Sequence, residues 1–251
     1  MRAPDSGLTV FPDVAADVQL IDLAWNRIAE VPAWVAGLAA LEELRLDGNG
    51  VRRLPDLSGL TALRALHLDG NELTAFPACP PALETLFLYG NRVGALPGHL
   101  PAKLRHLAAG SNGLTEVPGS LWKLTGLESL NLAENALTHV PPAIGGLSRL
   151  RMLDLGHNRL TEIPPEIGDL PLTDYLYLSD NGSPGCPARS GGWTGWPTST
   201  SPTTAWSACR TRSVPWPRWW SCGSTTTAWR RSRRRSAAFP GCASCTSRAT
   251  G

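Results

Sequence analysis

The first 178 residues carry one recurring pattern of apolar and polar positions, Leu-x-x-Leu-x-Leu-x-x-Asn-x-Leu-x-x-Leu-Pro. Its clearest copies run from Leu63 to Pro77, Leu127 to Pro141 and Leu150 to Pro164. The Leu-x-Leu step alternates with period two, which predicts a short strand with one face buried. Leu66 and Leu68 then point inward and His67 outward. Eight asparagines follow the strands, at intervals of 23, 22, 20, 21, 23, 23 and 23 residues, each with a proline six positions later. A period in this range predicts a solenoid, in which each unit buries its apolar face only against its neighbours.

The asparagines Asn26, Asn49, Asn71, Asn91, Asn112, Asn135, Asn158 and Asn181 fall where the chain must turn out of the strand. A carboxamide both donates and accepts, so it can satisfy turn backbone that stacking removes from water. These eight are read as an internal structural ladder with no binding role, and Glu134 beside Asn135 as a solvated side chain. The prolines fix φ and start the return path without needing a ladder partner. Asn181-Gly-Ser also fits a glycosylation acceptor, a reading that competes with its ladder position.

The Leu-Pro step and the Ile144, Gly145, Leu147 pattern that follows it resemble the leucine-rich-repeat family. The short repeat is similar to that of Ras-suppressor and Scribble-like scaffolds and of bacterial leucine-rich-repeat proteins. The resemblance covers roughly residues 8–182. It implies an α/β fold: a right-handed solenoid or horseshoe with a parallel concave sheet and short helical or extended convex segments. Residues 1–17 are expected to be a partial repeat or N-terminal cap, and 18–182 the repeat domain. Ala109 in place of an inward leucine, and Cys79-Pro80-Pro81 in a shortened return segment, predict tighter packing in mid-solenoid.

Residues 183–251 do not fit that frame. From residue 179 on there is no Leu, Ile, Lys, Glu, Gln, Met, Tyr or His, and this segment holds seven of the ten tryptophans and five of the six cysteines. The composition predicts a low-complexity, disordered tail. Yet the period persists. Thr203-Thr204-Ala205-Trp206 recurs 23 residues later as Thr226-Thr227-Ala228-Trp229, and Ser221-Cys222 as Ser244-Cys245. With GC-rich codons read one base over, residues 218–227 become Leu-Val-Glu-Leu-Arg-Leu-Tyr-Asn-Asn. Residues 241–250 become Leu-Arg-Glu-Leu-His-Leu-x-Gly-Asn. The tail is therefore read as a frameshifted continuation of the repeats, with the shift near Gly182–Ser183.

That reading changes what charge implies. Residues 1–181 carry 13 Lys and Arg against 21 Asp and Glu, a net −8, and the ten arginines of the tail turn this into +2. Nucleic acid is not expected as a partner. Cys79 is the only cysteine before the tail, so no disulfide framework is expected there. The start lacks an apolar signal core and no apolar run is long enough to span a membrane, so a cytoplasmic location without membrane association is expected. Cys242 and Cys245 have metal-ligand spacing and Arg230–Arg235 form a basic run, but both fall in the suspect frame, and no metal or cofactor is expected.

No catalytic constellation is apparent, and the outward strand positions form the candidate site. One column reads Asp22, Arg45, His67, Phe87, Ala108, Asn131, Asp154, Tyr177. The column before it runs from Leu20 and Glu43 to His106 and Tyr175, and the one after it contains Asp47, Asp69 and Tyr89. Exposed aromatics amid mixed charge are the chemistry of protein-interface hot spots. Arg45, Asp47, His67, Asp69, Phe87, Tyr89, His106, Tyr175 and Tyr177 are therefore the candidate residues for binding another protein. The expected function is a non-catalytic protein-interaction scaffold. Other readings are the recognition half of a larger kinase or ubiquitin-ligase-like enzyme, and the product of a pseudogene.

Overall fold

A computed structural model describes residues 1–181; the expectations for the tail, its period, its order and its Cys and Arg motifs, lie outside the described residues. Eight three-residue strands form a single parallel sheet in chain order: β1 Leu20–Asp22, β2 Glu43–Arg45, β3 Ala65–His67, β4 Thr85–Phe87, β5 His106–Ala108, β6 Ser129–Asn131, β7 Met152–Asp154 and β8 Tyr175–Tyr177. Each strand pairs with the next at equivalent positions, as in Leu44↔Leu66 and Leu66↔Leu86. Parallel neighbours of this kind require a crossover between every pair, and the return segment of each repeat supplies it. This is the leucine-rich-repeat horseshoe.

Strand centres point inward. Ile21, Leu44, Leu66, Leu86, Leu107, Leu130 and Leu153 are all within 1% of full burial. They join the flanking leucines in one continuous core that runs the length of the stack. Burying each such side chain is worth about 1.5–3 kcal/mol. Ala109 occupies its inward position, fully covered.

The asparagines tie each repeat to the one before it. The Asn71 amide donates to Leu68 O of its own repeat at 3.0 Å and to Leu46 O of the preceding one at 2.9 Å. Its Oδ1 accepts the N–H of Val51 at 3.0 Å. Asn49, Asn91, Asn135, Asn158 and Asn181 repeat this arrangement. Asn112 differs in bonding Gly110 O rather than Ala109 O in its own repeat. Asn26 closes the series onto the N-terminal segment, accepting from Ser6 and Leu8 and donating to Ala3 O. Residues 1–5 run parallel beside β1, with Ala3 N–H on Asp22 O and Asp5 N–H on Ala24 O.

The turn into each asparagine requires a left-handed residue. Gly48, Gly70 and Gly90 supply it at φ 64–69°, but Trp25, Ser111, Glu134, His157 and Asp180 adopt φ 52–58° with a Cβ present. Such conformations cost about 1–2 kcal/mol per non-glycine residue, which the ladder bonds on either side offset.

Convex segments follow repeat length. Single 3₁₀ turns at Ala33–Gly37, Leu121–Lys123, Pro142–Gly146 and Pro165–Asp169 all lie in 23-residue repeats. The repeats of 22, 20 and 21 residues return through irregular chain and isolated turns, such as Leu60 N–H on Leu57 O and Leu83 N–H on Pro80 O. A 3₁₀ turn advances only about 2.0 Å per residue against about 3.3 Å for extended chain, so the shorter repeats have fewer residues to spend on one. Pro32, Pro141 and Pro164, at φ −67°, −76° and −65°, sit immediately before three of these turns.

Candidate functional site

The outward strand residues are half-buried in all eight strands, so the sheet offers a continuous face with side chains standing shoulder to shoulder. The register aligns Asp22, Arg45, His67, Phe87, Ala108, Asn131, Asp154 and Tyr177 in one row, and Leu20, Glu43, Ala65, Thr85, His106, Ser129, Met152 and Tyr175 in the row before it.

The candidate residues divide into two groups. On β2–β5, the Arg45 guanidinium donates to Glu43 at 2.5 Å, and Glu43 also lies 3.5 Å from the His67 ring. His67 meets Phe87 edge to face, with ring centroids 4.9 Å apart. Burial holds the His67 imidazole below its ordinary pKa and favours the neutral ring. Asp47 accepts the N–H of Asp69 at 3.0 Å, and Asp69 accepts that of Tyr89 at 2.7 Å. These two carboxylates thus bridge successive repeats just past the strands. Desolvation pushes the Asp69 carboxyl up to about 6, against the opposing bond from Tyr89 N–H. His106 stands in the neighbouring row, between Thr85 and Ser129. Tyr175 and Tyr177 form the second group on β8, separated from the first by β6 and β7. The Tyr175 hydroxyl donates to Asp154 at 2.6 Å, and the Tyr177 ring lies 6.2 Å from that of His157.

Glu134 is exposed, as expected, and it also accepts a hydrogen bond from Tyr89. The Tyr89 hydroxyl donates to Glu134 at 2.5 Å across 45 residues of sequence. The tyrosine ring crosses Gly110, where an added Cβ would overlap it. Gly156 gives the same hollow to Tyr177, and Gly48 to Trp25. Aromatic rings on this side of the stack therefore lie against glycines of neighbouring repeats. Trp25 is 67% exposed and was not among the sequence candidates. An aromatic residue just before a ladder asparagine, where other repeats carry glycine, was its signal.

A second pattern also escaped the sequence reading. The residue before each strand alternates in charge from Glu42 through Arg64, Glu84, Arg105, Glu128 and Arg151 to Asp174. Each N–H in this row donates to the carbonyl of the residue one repeat back. Arg105 pairs with Glu128 at 3.2 Å and Glu84 at 3.9 Å, and Arg151 with Asp174 at 3.2 Å. Unlike charges thus meet across the repeat junctions.

Among the described residues, no group of three or more His, Cys, Asp or Glu could hold a metal ion, and no helix is long and apolar enough to cross a membrane. Burial pushes the free Cys79 thiol up to about 12, well above the range of a reactive thiolate.

A stack of parallel strands closed by an asparagine ladder defines a repeat solenoid with one continuous open face. The leucine rich repeat family model matches residues 102–160 and 125–182. Residues 102–182 thus carry leucine-rich repeats, in agreement with the fold of residues 1–181. A leucine-rich repeat and calponin homology domain-containing protein of Drosophila melanogaster is 35% identical over 122 residues, which is 46% of this chain and 15% of that protein. A leucine-rich-repeat protein of Leptospira interrogans matches with 29% identity and a TM-score of 0.54, over 64% of this chain and 48% of that one. YopM from Yersinia enterocolitica matches with 28% identity and a TM-score of 0.55, over 70% and 36%. The leucine-rich-repeat domain of a Shigella effector matches with 27% identity and a TM-score of 0.53, over 61% and 66%. The chain spans less than two thirds of the length of each. Repeats and neighbours of this kind suggest a protein-interaction domain and a non-enzymatic scaffold.

Proposed function

We propose that the chain is a non-catalytic scaffold that binds another protein on the concave sheet face, centred on β2–β5. One observation carries this reading: Phe87 stands against His67 beside the Arg45–Glu43 pair, all partly exposed on adjacent strands. An aromatic edge and a guanidinium on a rigid sheet lose little entropy when a partner covers them, and residues of these types dominate interface energetics. Tyr89, braced on Glu134, and Asp47 and Asp69 border the same patch.

The test compares three full-length proteins as bait in affinity capture from cells of the source organism. They are the wild type, an Arg45→Glu/Phe87→Ser variant, and an Arg149→Glu control at an exposed position outside the sheet. A partner retained by the wild type and the control, and reduced at least tenfold by the concave variant at unchanged melting temperature, is the expected result. Equal retention by all three proteins would overturn the proposal.

A further inference from the structure

The β8 edge of the sheet differs from every other strand. β1 to β7 each bury their central residue, whereas Leu176 at the centre of β8 is only partly buried. At each of the seven junctions, two N–H groups of one repeat donate to carbonyls of the next: Leu132 and Glu134 to Asp154 and Gly156, then Leu155 and His157 to Tyr177 and Ser179. The counterparts in the last repeat are the N–H groups of Leu178 and Asp180, which find no such acceptor among the described residues. Asp47 and Asp69 accept the N–H one repeat ahead in their own row. Ser179 holds the same row position, and its Oγ is buried without a hydrogen-bond partner. The edge thus offers two donors, one acceptor and an incompletely covered leucine, in the geometry that a following repeat meets at every other junction.

The sequence beyond it keeps the spacing of such repeats. Steps of 23 from Asn181 reach Thr204, Thr227 and Thr250. One base over, with GC-rich codons, two of these three windows give the strand-and-asparagine patterns set out above. The pattern ending at residue 227 places Glu, Arg and Tyr outward, the chemistry of Glu43, Arg45 and Tyr89. We propose that the β8 edge is an interface for further leucine-rich repeats of this same protein, encoded by the nucleotides of residues 183–251 in the shifted frame. The concave face would then extend past Tyr175 and Tyr177, which would become interior members of a longer surface.

The experiment uses the full chain as given, the full chain with the frame restored by one base after codon 182, and the chain with a duplicate of residues 159–181 inserted after Asn181. Hydrogen exchange is read on peptides containing Leu176–Asp180, alongside thermal melting. The restored frame should slow exchange at Leu178 and Asp180 at least tenfold relative to the chain as given and raise the melting temperature, because paired edge amides exchange only by larger openings. The duplicate should do the same and shows that the edge accepts a repeat. Unchanged exchange in the restored chain overturns the proposal. So does protection by the duplicate alone, including the case in which the restored chain does not fold. Equal protection by the tail in its given frame would also overturn it.

Discussion

Replacing Asn135 with alanine tests the ladder most directly. The Asn135 amide donates to Ala109 O at 3.1 Å and Leu132 O at 2.9 Å, and its Oδ1 accepts from Leu114 N–H at 2.9 Å and Asn112 N–H at 3.1 Å. Alanine leaves two donors and three acceptors, Ala133 O among them at 3.2 Å, without this partner. A buried group left unsatisfied costs about 1–3 kcal/mol. Asn135 is half-buried, so water recovers part of the loss, and about 2–4 kcal/mol is expected, lowering Tm by about 2–4 °C per kcal/mol. Urea denaturation followed by circular dichroism measures it against Arg149→Ala, which should stay within about 0.5 kcal/mol of wild type. Glu134→Ala is not a neutral comparison, because Glu134 accepts the Tyr89 hydroxyl. Asn135→Asp adds a sharper arm. An ionised carboxylate keeps the acceptor but faces the carbonyls of Ala109 and Leu132, so its folded pKa should be raised. Stability should then be greatest below the ordinary carboxylate pKa and fall as pH rises through the folded value. An Asn135→Ala variant within 0.5 kcal/mol of wild type, or an Asn135→Asp variant insensitive to pH, would refute the ladder argument.

Gly110→Ala should cost about 1–3 kcal/mol by overpacking, because the new Cβ meets the Tyr89 ring and lies 2.9 Å from Ala133 O. Adding Tyr89→Ala should recover part of the loss, and a double-mutant cycle by denaturation would show no coupling if the ring does not cross this glycine. Gly94→Ala, in open space at φ 73°, should cost only the left-handed strain of about 1–2 kcal/mol. Asp69, with its carboxyl pushed up to about 6, favours the folded state below the ordinary carboxylate pKa and loses that contribution as pH rises through about 6. Asp69→Asn should remove this slope from the difference in stability between the two proteins over pH 4–7; the solvent-screened effect is at most about 1–2 kcal/mol, and parallel curves would contradict it. Arg105→Glu should lose up to about 1 kcal/mol by setting like charges at Glu84 and Glu128, a loss that 1 M salt should largely abolish.

The fold was legible because each repeat states it again. One Leu-x-Leu segment could be a strand on either face, but eight in phase with eight asparagines admit a single register, since a slip of one residue would expose every leucine. The columns read from spacing agree with the pairing of Leu44 with Leu66 and of Leu66 with Leu86. Contacts between repeats that no single repeat encodes were not legible. Tyr89 reaches Glu134 only because Gly110 leaves a path between them. That required knowing which residue of the next repeat lies under the ring.

The alternating charges at Glu42, Arg64, Glu84, Arg105, Glu128, Arg151 and Asp174 were present in the sequence but invisible within one motif copy, because their order appears only between copies. The same distinction governs the candidate site. Strand periodicity identifies the outward residues, whereas side-chain contacts determine which of them remain free for a partner. Tyr175 and Tyr89 each commit a hydroxyl to a carboxylate of another repeat, so part of their polar capacity is spent inside the stack. Phe87 has no polar group to commit and meets His67 in a T-shaped contact. Arg45 engages Glu43 through Nε, and its side chain remains 43% exposed. Under the proposed binding role, the expected contact is a partner carboxylate meeting the Arg45 guanidinium, with an apolar group against Phe87.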